Sequence, residues 1–540
     1  MSNKLVKKSN TPAKKTGGYE IITAIIEFTI AVIGIAFCLL VPLYLKDGYH
    51  SVGTIKYDMY RYIVLWGFSV VILITLGWML SAKEIVLPAF SDTDWCVVAF
   101  LGFSLIAALV GGNFKECVWG YNGWDMGLLS MLSFGLIYFY YSRFGKGNKV
   151  VLTALCFSAF LAFYLGILHR LLIDPIGVYS LGKVDELADT YKNQFLSTLG
   201  QATWYSSFVC TVLPLGIGVF WSTKKIWLRI VSGIFSFAGF CTMVTQNSDS
   251  AYAALLGFMA VFLWFSLPDV KRMERFAEIL LLFVAATRVM NLLFFIRPNE
   301  ILELDKLSSF LVFHKWMWYV LLFAAIFWGL FFWLSWKEKY SRSAALIVRR
   351  ILYALLVLVI LTAAGHVILS AKGLLPESIT RYTSRIPYLI WGDNWGNGRG
   401  RTWAFSIQMY KDMDIFHKLF GVGPDGYAPY AYSLYQERLA QMWGDRTLTN
   451  AHNEWMNALI NYGLFGMLAY AGIFLTSIKN FAEKQENMPV IVGFIACIVS
   501  YMSHNFFCYQ QICCTPFMFL IMGAGVYFMR NVQDENPAVV

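Results

Sequence analysis

Long apolar runs separated by short polar stretches dominate the chain, and their lengths predict its elements. Runs of membrane-spanning length, about 20 residues, begin near residues 20, 62, 95, 125, 149, 202, 226, 251, 277, 315, 345, 456, 489 and 512. The pattern predicts an all-α, polytopic helical membrane protein with about 14 transmembrane helices. One wide interruption, residues 371–455, separates spans 11 and 12. The expected organisation is a tail over 1–19, spans 1–11 over 20–370, a large loop over 371–455, spans 12–14 over 456–530 and a second tail over 531–540.

Composition agrees with that reading. Of 540 residues, 58% are hydrophobic and only 14% charged, with a mean hydropathy of +0.57, outside the range of soluble domains. Residues 1–19 place five lysines among Ser, Thr, Pro and Gly; such a segment cannot bury a core and is expected to be a disordered cytoplasmic tail. The first apolar run is too long for a signal-peptide core and reads as a retained span. Lys and Arg gather in this tail and in alternate short loops such as SRFGKGNK, PDVKRMER and WKEKYSRS. By the positive-inside rule both termini should be cytoplasmic, in the cytoplasmic (inner) membrane, and the 371–455 loop should face outward. The net charge of +10 therefore requires no nucleic acid. Ten cysteines without a CxxC pair read as small packing residues, although Cys508, Cys513 and Cys514 near an outward end leave a disulfide open.

The large loop is the informative segment, because loops of this length in compact bundles are functional or disordered. Trp391, Trp395, Trp403, Phe405, Phe416, Phe420 and Tyr427 argue against disorder. The stretch TWAFSIQMYKDMDIF reads as an amphipathic helix able to lie on the membrane surface. A second outward segment, residues 169–201, could close over the same surface.

Three clusters in this loop carry candidate chemistry: GNGRGRTW at 396–403, LFGVGPDGY at 419–427 and TNAHNEW at 449–455. Arg399 and Arg401 could bind lipid headgroups or grip a phosphate in bidentate fashion. The GVGPDG segment is an ordinary reversal or a nest of backbone donors. His452 is a polar cap before a span, or a neutral base able to take a proton from a hydroxyl. Asp412 and Asp414 form a DxD pair that reads as the polar face of the amphipathic stretch. His417, His504 and the His169–Arg170 pair read as structural. No GxxxxGK[ST], HExxH or GxSxG pattern occurs, which removes P-loop, zincin and serine-hydrolase chemistry. Nucleotide-activated donors are cytoplasmic. An outward-facing enzyme would need a donor carrying its own leaving group, such as a polyprenyl-diphosphate-linked glycan, with arginine stabilising the departing diphosphate.

The ordered set GRxxxW (Gly398, Arg399, Trp403), LFGVGPDGY and AHNEWMNALINYGLFG resembles the C-terminal signature of the bacterial O-antigen ligase and polymerase superfamily. Segments 197–216 and 245–258 resemble its earlier landmarks, so the likeness runs over roughly residues 197–525. It implies a GT-C-like helical fold and a glycosyltransferase that is inverting, metal-independent and without a cofactor. It carries the essential Arg and the base onto Arg399 and His452, with Arg401, Trp403, Gly423, Asn453 and Arg288 as substrate-binding candidates. The implied partners are a polyprenyl-diphosphate-linked glycan donor, a glycan or glycolipid acceptor and membrane lipids. One departure matters: Ser248–Asp249 stands where many members have Ser-Arg. The candidates to stand in are Arg401 and Arg288, whose place inside the ninth span is costly enough to suggest function or an ion pair. Ligase and polymerase share these motifs. A transporter or flippase would instead spread charged residues through its spans.

Overall fold

The computed structural model describes residues 17–81, 88–180, 194–297, 303–444 and 446–531. Most of both expected tails and much of the 169–201 segment lie outside the described residues.

Helices stand at all fourteen predicted places among the described residues. Ten are long and apolar enough to cross a membrane alone. The other four, Leu128–Arg143, Ser250–Ser266, Ile491–His504 and Thr515–Asn531, are shorter. Three of these are nonetheless among the most buried of all; in Thr515–Asn531 every residue from Thr515 to Val526 is buried. A helix shielded by other helices can be shorter than one that meets lipid on its own. Trp316–Lys337 and Arg342–Ala371 are the reverse case. They bury only Met317, Ala324 and Ala345 and present apolar side chains outward, as lipid-facing helices do.

Small residues set the close crossings. A Cβ on Gly218 of Ala202–Ser222 would lie 2.5 Å from Cα of Gly493 in Ile491–His504, so the two backbones touch as in small-residue packing between membrane helices. The helices run antiparallel, and one consequence appears at their far ends, where Ser206 meets His504 at 2.6 Å. At the opposite end of the bundle, buried Asp94 accepts from Arg530 at 2.7 Å and Arg143 at 3.3 Å and also caps its own helix with Ser91. A buried carboxylate held this way is paired rather than orphaned. Lys56, fully buried, donates to the carbonyls of Val41, Pro42 and Tyr44 and satisfies the end of the first helix, where Pro42 and the helix terminus leave acceptors free.

The large loop forms four helices, Glu377–Thr383, Trp395–Asp412, Ile415–Phe420 and Tyr427–Trp443, around a small core of its own that includes Phe405, Met409, Val422, Tyr427, Leu439 and Ile460. The amphipathic stretch is helical, but its apolar face packs into this core: Trp403, Phe405 and Met409 are buried. A membrane-surface placement of that face is thereby replaced by burial in protein. Residues Gly396, Asn397 and Gly398 all have positive φ, so regular helix starts only at Arg399, with glycine supplying two of the three left-handed positions.

Candidate active site

His452 lies in the turn before the helix Glu454–Lys484. Its backbone is held at φ 49°, a costly conformation for a non-glycine residue, and its N–H donates to Asn450 Oδ1 at 2.9 Å. The ring meets the Tyr509 ring edge-on, 5.2 Å between centroids. Neither ring nitrogen has a protein hydrogen-bond partner among the described residues. Burial, and then the positive charge of Arg399, push the imidazole pKa down to about 4, so the ring is neutral at pH 7 with a lone pair free.

Arg399 occupies the first regular turn of its helix. Its Nε donates to the Phe507 carbonyl at 2.9 Å and Nη1 to the Gly396 carbonyl at 2.6 Å; Nη2 has no protein acceptor among the described residues. Burial lowers its proton affinity, opposed by Cys508, Tyr509 and Asp249, yet arginine remains charged.

Both side chains are braced by one short loop, residues 505–510. Phe507 supplies the carbonyl for Arg399 and Tyr509 the ring against His452; Trp403, a predicted binding residue, stacks on Phe507 at 6.0 Å and meets Phe506 edge-on. The loop is fastened from below by Glu454. Its N–H donates to the Asn505 carbonyl at 2.9 Å, and its buried carboxylate accepts from Asn505, Tyr470 and Tyr501. Asn505 Oδ1 in turn meets His504 Nδ1 at 2.9 Å, which leaves His504 Nε2 to accept from Ser206 at 2.6 Å and Ser250 at 3.0 Å. Trp204 Nε1 donates to the Tyr509 hydroxyl at 3.1 Å. The segments 197–216 and 245–258 thus reach the site through Trp204, Ser206 and Ser250. The role of Glu454 and the 505–510 loop was missed at the level of sequence; the polar HN and YQQ residues interrupting an apolar run at 504–511 are the signal that pointed there.

The other predicted residues are placed elsewhere. Arg401 lies on the far side of its helix from Arg399: Nη1 donates to the Met442 carbonyl at 2.5 Å and the guanidinium faces the Trp443 ring at 6.0 Å. Arg288 donates to the carbonyls of Leu311 and Val312 at 2.5 and 2.8 Å, capping the helix Lys306–Phe313. Neither is brought to His452, because each is spent on satisfying helix-end carbonyls. Asn453 caps the helix after His452, accepting from Met456 N–H at 3.0 Å.

GVGPDG is a turn and not a nest. The helix Glu454–Lys484 breaks at Gly463, φ 68°, and carbonyls of Ile460 and Asn461 freed by the break accept from the N–H groups of Val422 and Gly423. The Gly423 donor is therefore consumed, and a Cβ there would sit 2.2 Å from Cys117 Sγ. Asp425 accepts from the N–H groups of Tyr121 and Met126 at 2.7 and 3.1 Å and ties the loop to the bundle. All ten cysteines are free, including the three for which a disulfide was open.

Asp412 accepts from Gln408 and Tyr435, and Asp414 caps the helix Ile415–Phe420, so the DxD pair is structural. Among the described residues no cluster of three His, Cys, Asp or Glu is placed to hold a metal ion. A cavity of about 220 Å³ between Gly111–Cys117 and Val422–Ser433 includes neither Arg399 nor His452.

Residues 307–471, which contain both, match the family model described as O-antigen ligase. Over that segment the chain is similar to the O-antigen ligase family. No curated protein matches it. That family is one of ligase- and polymerase-type membrane glycosyltransferases, and this chain has Asp249 where the resemblance leads one to expect Arg. That residue is exposed, accepts from the Tyr388 hydroxyl at 2.7 Å and lies within electrostatic reach of Arg399. A carboxylate thus stands where the resemblance implies a second cation.

Proposed function

We propose that the chain is a ligase-type glycosyltransferase that moves a polyprenyl-diphosphate-linked glycan onto an acceptor hydroxyl at the outer face of the cytoplasmic membrane, with both termini in the cytoplasm. The observation that carries this reading is a neutral, half-buried His452 with unbonded ring nitrogens next to a charged Arg399 fixed by two backbone carbonyls.

In this reaction a ring nitrogen of His452 takes the proton from the acceptor hydroxyl. The oxygen attacks the anomeric carbon of the donor from the face opposite the diphosphate, forming the glycosidic bond with inversion. The carbon–oxygen bond to phosphate breaks, its electron pair stays on the diphosphate, and Arg399 stabilises that charge through its free Nη2. Histidine at a pKa of about 4 is a weak base on its own. A diphosphate anion bound beside Arg399 offsets the positive charge there and raises the proton affinity of His452 as the donor binds.

The test is transfer of glycan from purified lipid-linked donor by the reconstituted protein in the absence of any gradient. A His452→Ala protein that transferred at the wild-type rate would remove the base from the mechanism. Gene deletion separates the two activities of the family: loss of all surface attachment marks a ligase, and loss of long chains alone marks a polymerase.

A further inference from the structure

Next to His452 lies a small cleft that the transfer step leaves unused. Its walls are Trp124, Asp425, Asn457, Asn461, Tyr509 and Gln510. The Tyr509 ring is common to the cleft and to His452, and two cleft amides hold the same turn: Asn450 Oδ1 accepts from His452 N–H and Asn457 Oδ1 from Ala451 N–H. The free volume is about 10 Å³, the size of one water or one hydroxyl group and too small for a sugar ring.

Two residues lining this cleft carry buried polar atoms with no hydrogen bond of normal geometry among the described residues, Asn461 Oδ1 and Gln510 Nε2, the Gln510 amide lying also towards the Tyr470 hydroxyl. Asn461 is 2% exposed and Gln510 is 7% exposed. The Gln510 amide is oriented by its other end, which accepts from the Tyr462 hydroxyl at 3.1 Å. Buried amides without partners are uncommon in native proteins. One is an acceptor and the other a donor, a combination that a hydroxyl satisfies because it does both. A phosphate would meet the Asn461 oxygen and the Asp425 carboxyl, and an alkyl group would leave both amides unpaired. Trp124 and Tyr509 meet edge-on at 4.8 Å and give the cleft aromatic walls, the usual setting for a few orienting polar groups.

On the transfer proposed above, the sugar nearest His452 is the acceptor, whereas the diphosphate end of the donor belongs at Arg399. We infer that the cleft takes a hydroxyl of the acceptor sugar adjacent to the one His452 deprotonates, with Asn461 and Gln510 as specificity-determining residues. A site built to bond a hydroxyl rejects the analogue lacking it far more strongly than an apolar pocket rejects a missing methylene.

The experiment uses the full chain in lipid nanodiscs and saturation-transfer NMR with the methyl glycosides of glucose, galactose and N-acetylglucosamine. At least one glycoside is expected to show transfer. Gln510→Glu, which keeps the acceptor for Tyr462 but loses the donor, and Asn461→Leu should each weaken binding at least about tenfold with the melting temperature retained. Bare undecaprenyl diphosphate should leave the signal in place. Absence of binding by all three glycosides, or binding indifferent to both substitutions, overturns the proposal and leaves a hydrated notch. Displacement by the glycan-loaded carrier but not by the bare one assigns the cleft to the donor sugar and overturns the acceptor assignment. His452→Ala should lower glycan transfer by about 10²–10⁴-fold and retain the glycoside signal; transfer at the wild-type rate would sink the base while the cleft is still judged by its own binding.

Discussion

The charge of Arg399 bears directly on His452, lowering its proton affinity, although one residue lies in a helix and the other in a turn before a different helix, and they share no hydrogen bond. What keeps them together is the 505–510 loop, which offers Arg399 a carbonyl and His452 an aromatic ring. The reading of function depends on that relationship, and the following outcomes test it.

Replacing His452 by Ala should reduce the transfer rate by about 10²–10⁴-fold, the range for loss of a general base. Binding of the lipid-linked donor should change little. Single-turnover kinetics with purified donor, together with a donor-binding isotherm, check both halves of the statement.

Arg399→Lys should cost about 10²–10³-fold in transfer, because lysine keeps the charge but cannot hold the Phe507 and Gly396 carbonyls while presenting a second donor. Arg401→Ala should leave the rate within about threefold and lower thermal stability instead, by about 1 kcal/mol for its lost bond to the Met442 carbonyl. Equal losses of activity in the two variants would contradict the geometry.

The pH profile has a definite sign. His452 is held at about 4 instead of 6.5, so its base form persists as pH falls and is lost only below about 4. The acid limb of kcat/KM, which reports the free enzyme, should lie near that value, and an acid limb near 6.5 would show that desolvation and Arg399 do not act on the imidazole as described.

Asp425 behaves in the opposite sense. Burial raises its pKa to about 7, against two bonds from backbone N–H groups. The folded protein keeps this proton to about pH 7 and the unfolded chain loses it near 4, so this group's contribution to stability declines as pH rises from 4 to 7. Asp425→Asn should therefore melt higher than wild type at pH 8 and about equally at pH 4. Asp425→Ala should lose about 1–3 kcal/mol for each N–H left unpaired. Thermal unfolding in one detergent at both pH values decides it.

Glu454→Ala should reduce stability by about 1–3 kcal/mol for each buried donor left unpaired among Asn505, Tyr470 and Tyr501, and should lower transfer through displacement of the 505–510 loop. A variant with normal activity and a lowered melting temperature would separate the bracket from the chemistry.

Hydropathy alone placed all fourteen helices within ten residues of their observed starts, and for twelve of the fourteen within three, because a membrane imposes a length on every apolar run that spans it. The same local reading marked Arg399 and His452 as chemistry-bearing, since a guanidinium among glycines and an imidazole before a span are unusual without reference to any partner. It could not say which donors and acceptors were already engaged. Gly423 looked free until a break at Gly463 presented two carbonyls to its segment, and Arg401 looked equivalent to Arg399 until helix geometry turned it to the opposite side. Glu454, Asn505 and His504 read as isolated polar residues because the bonds joining them to one another and to Ser206 and Ser250 span up to 298 positions. Periodicity is a property of neighbours along the chain, whereas the satisfaction of buried polar groups is a property of neighbours in space, and only the folded bundle decides the second.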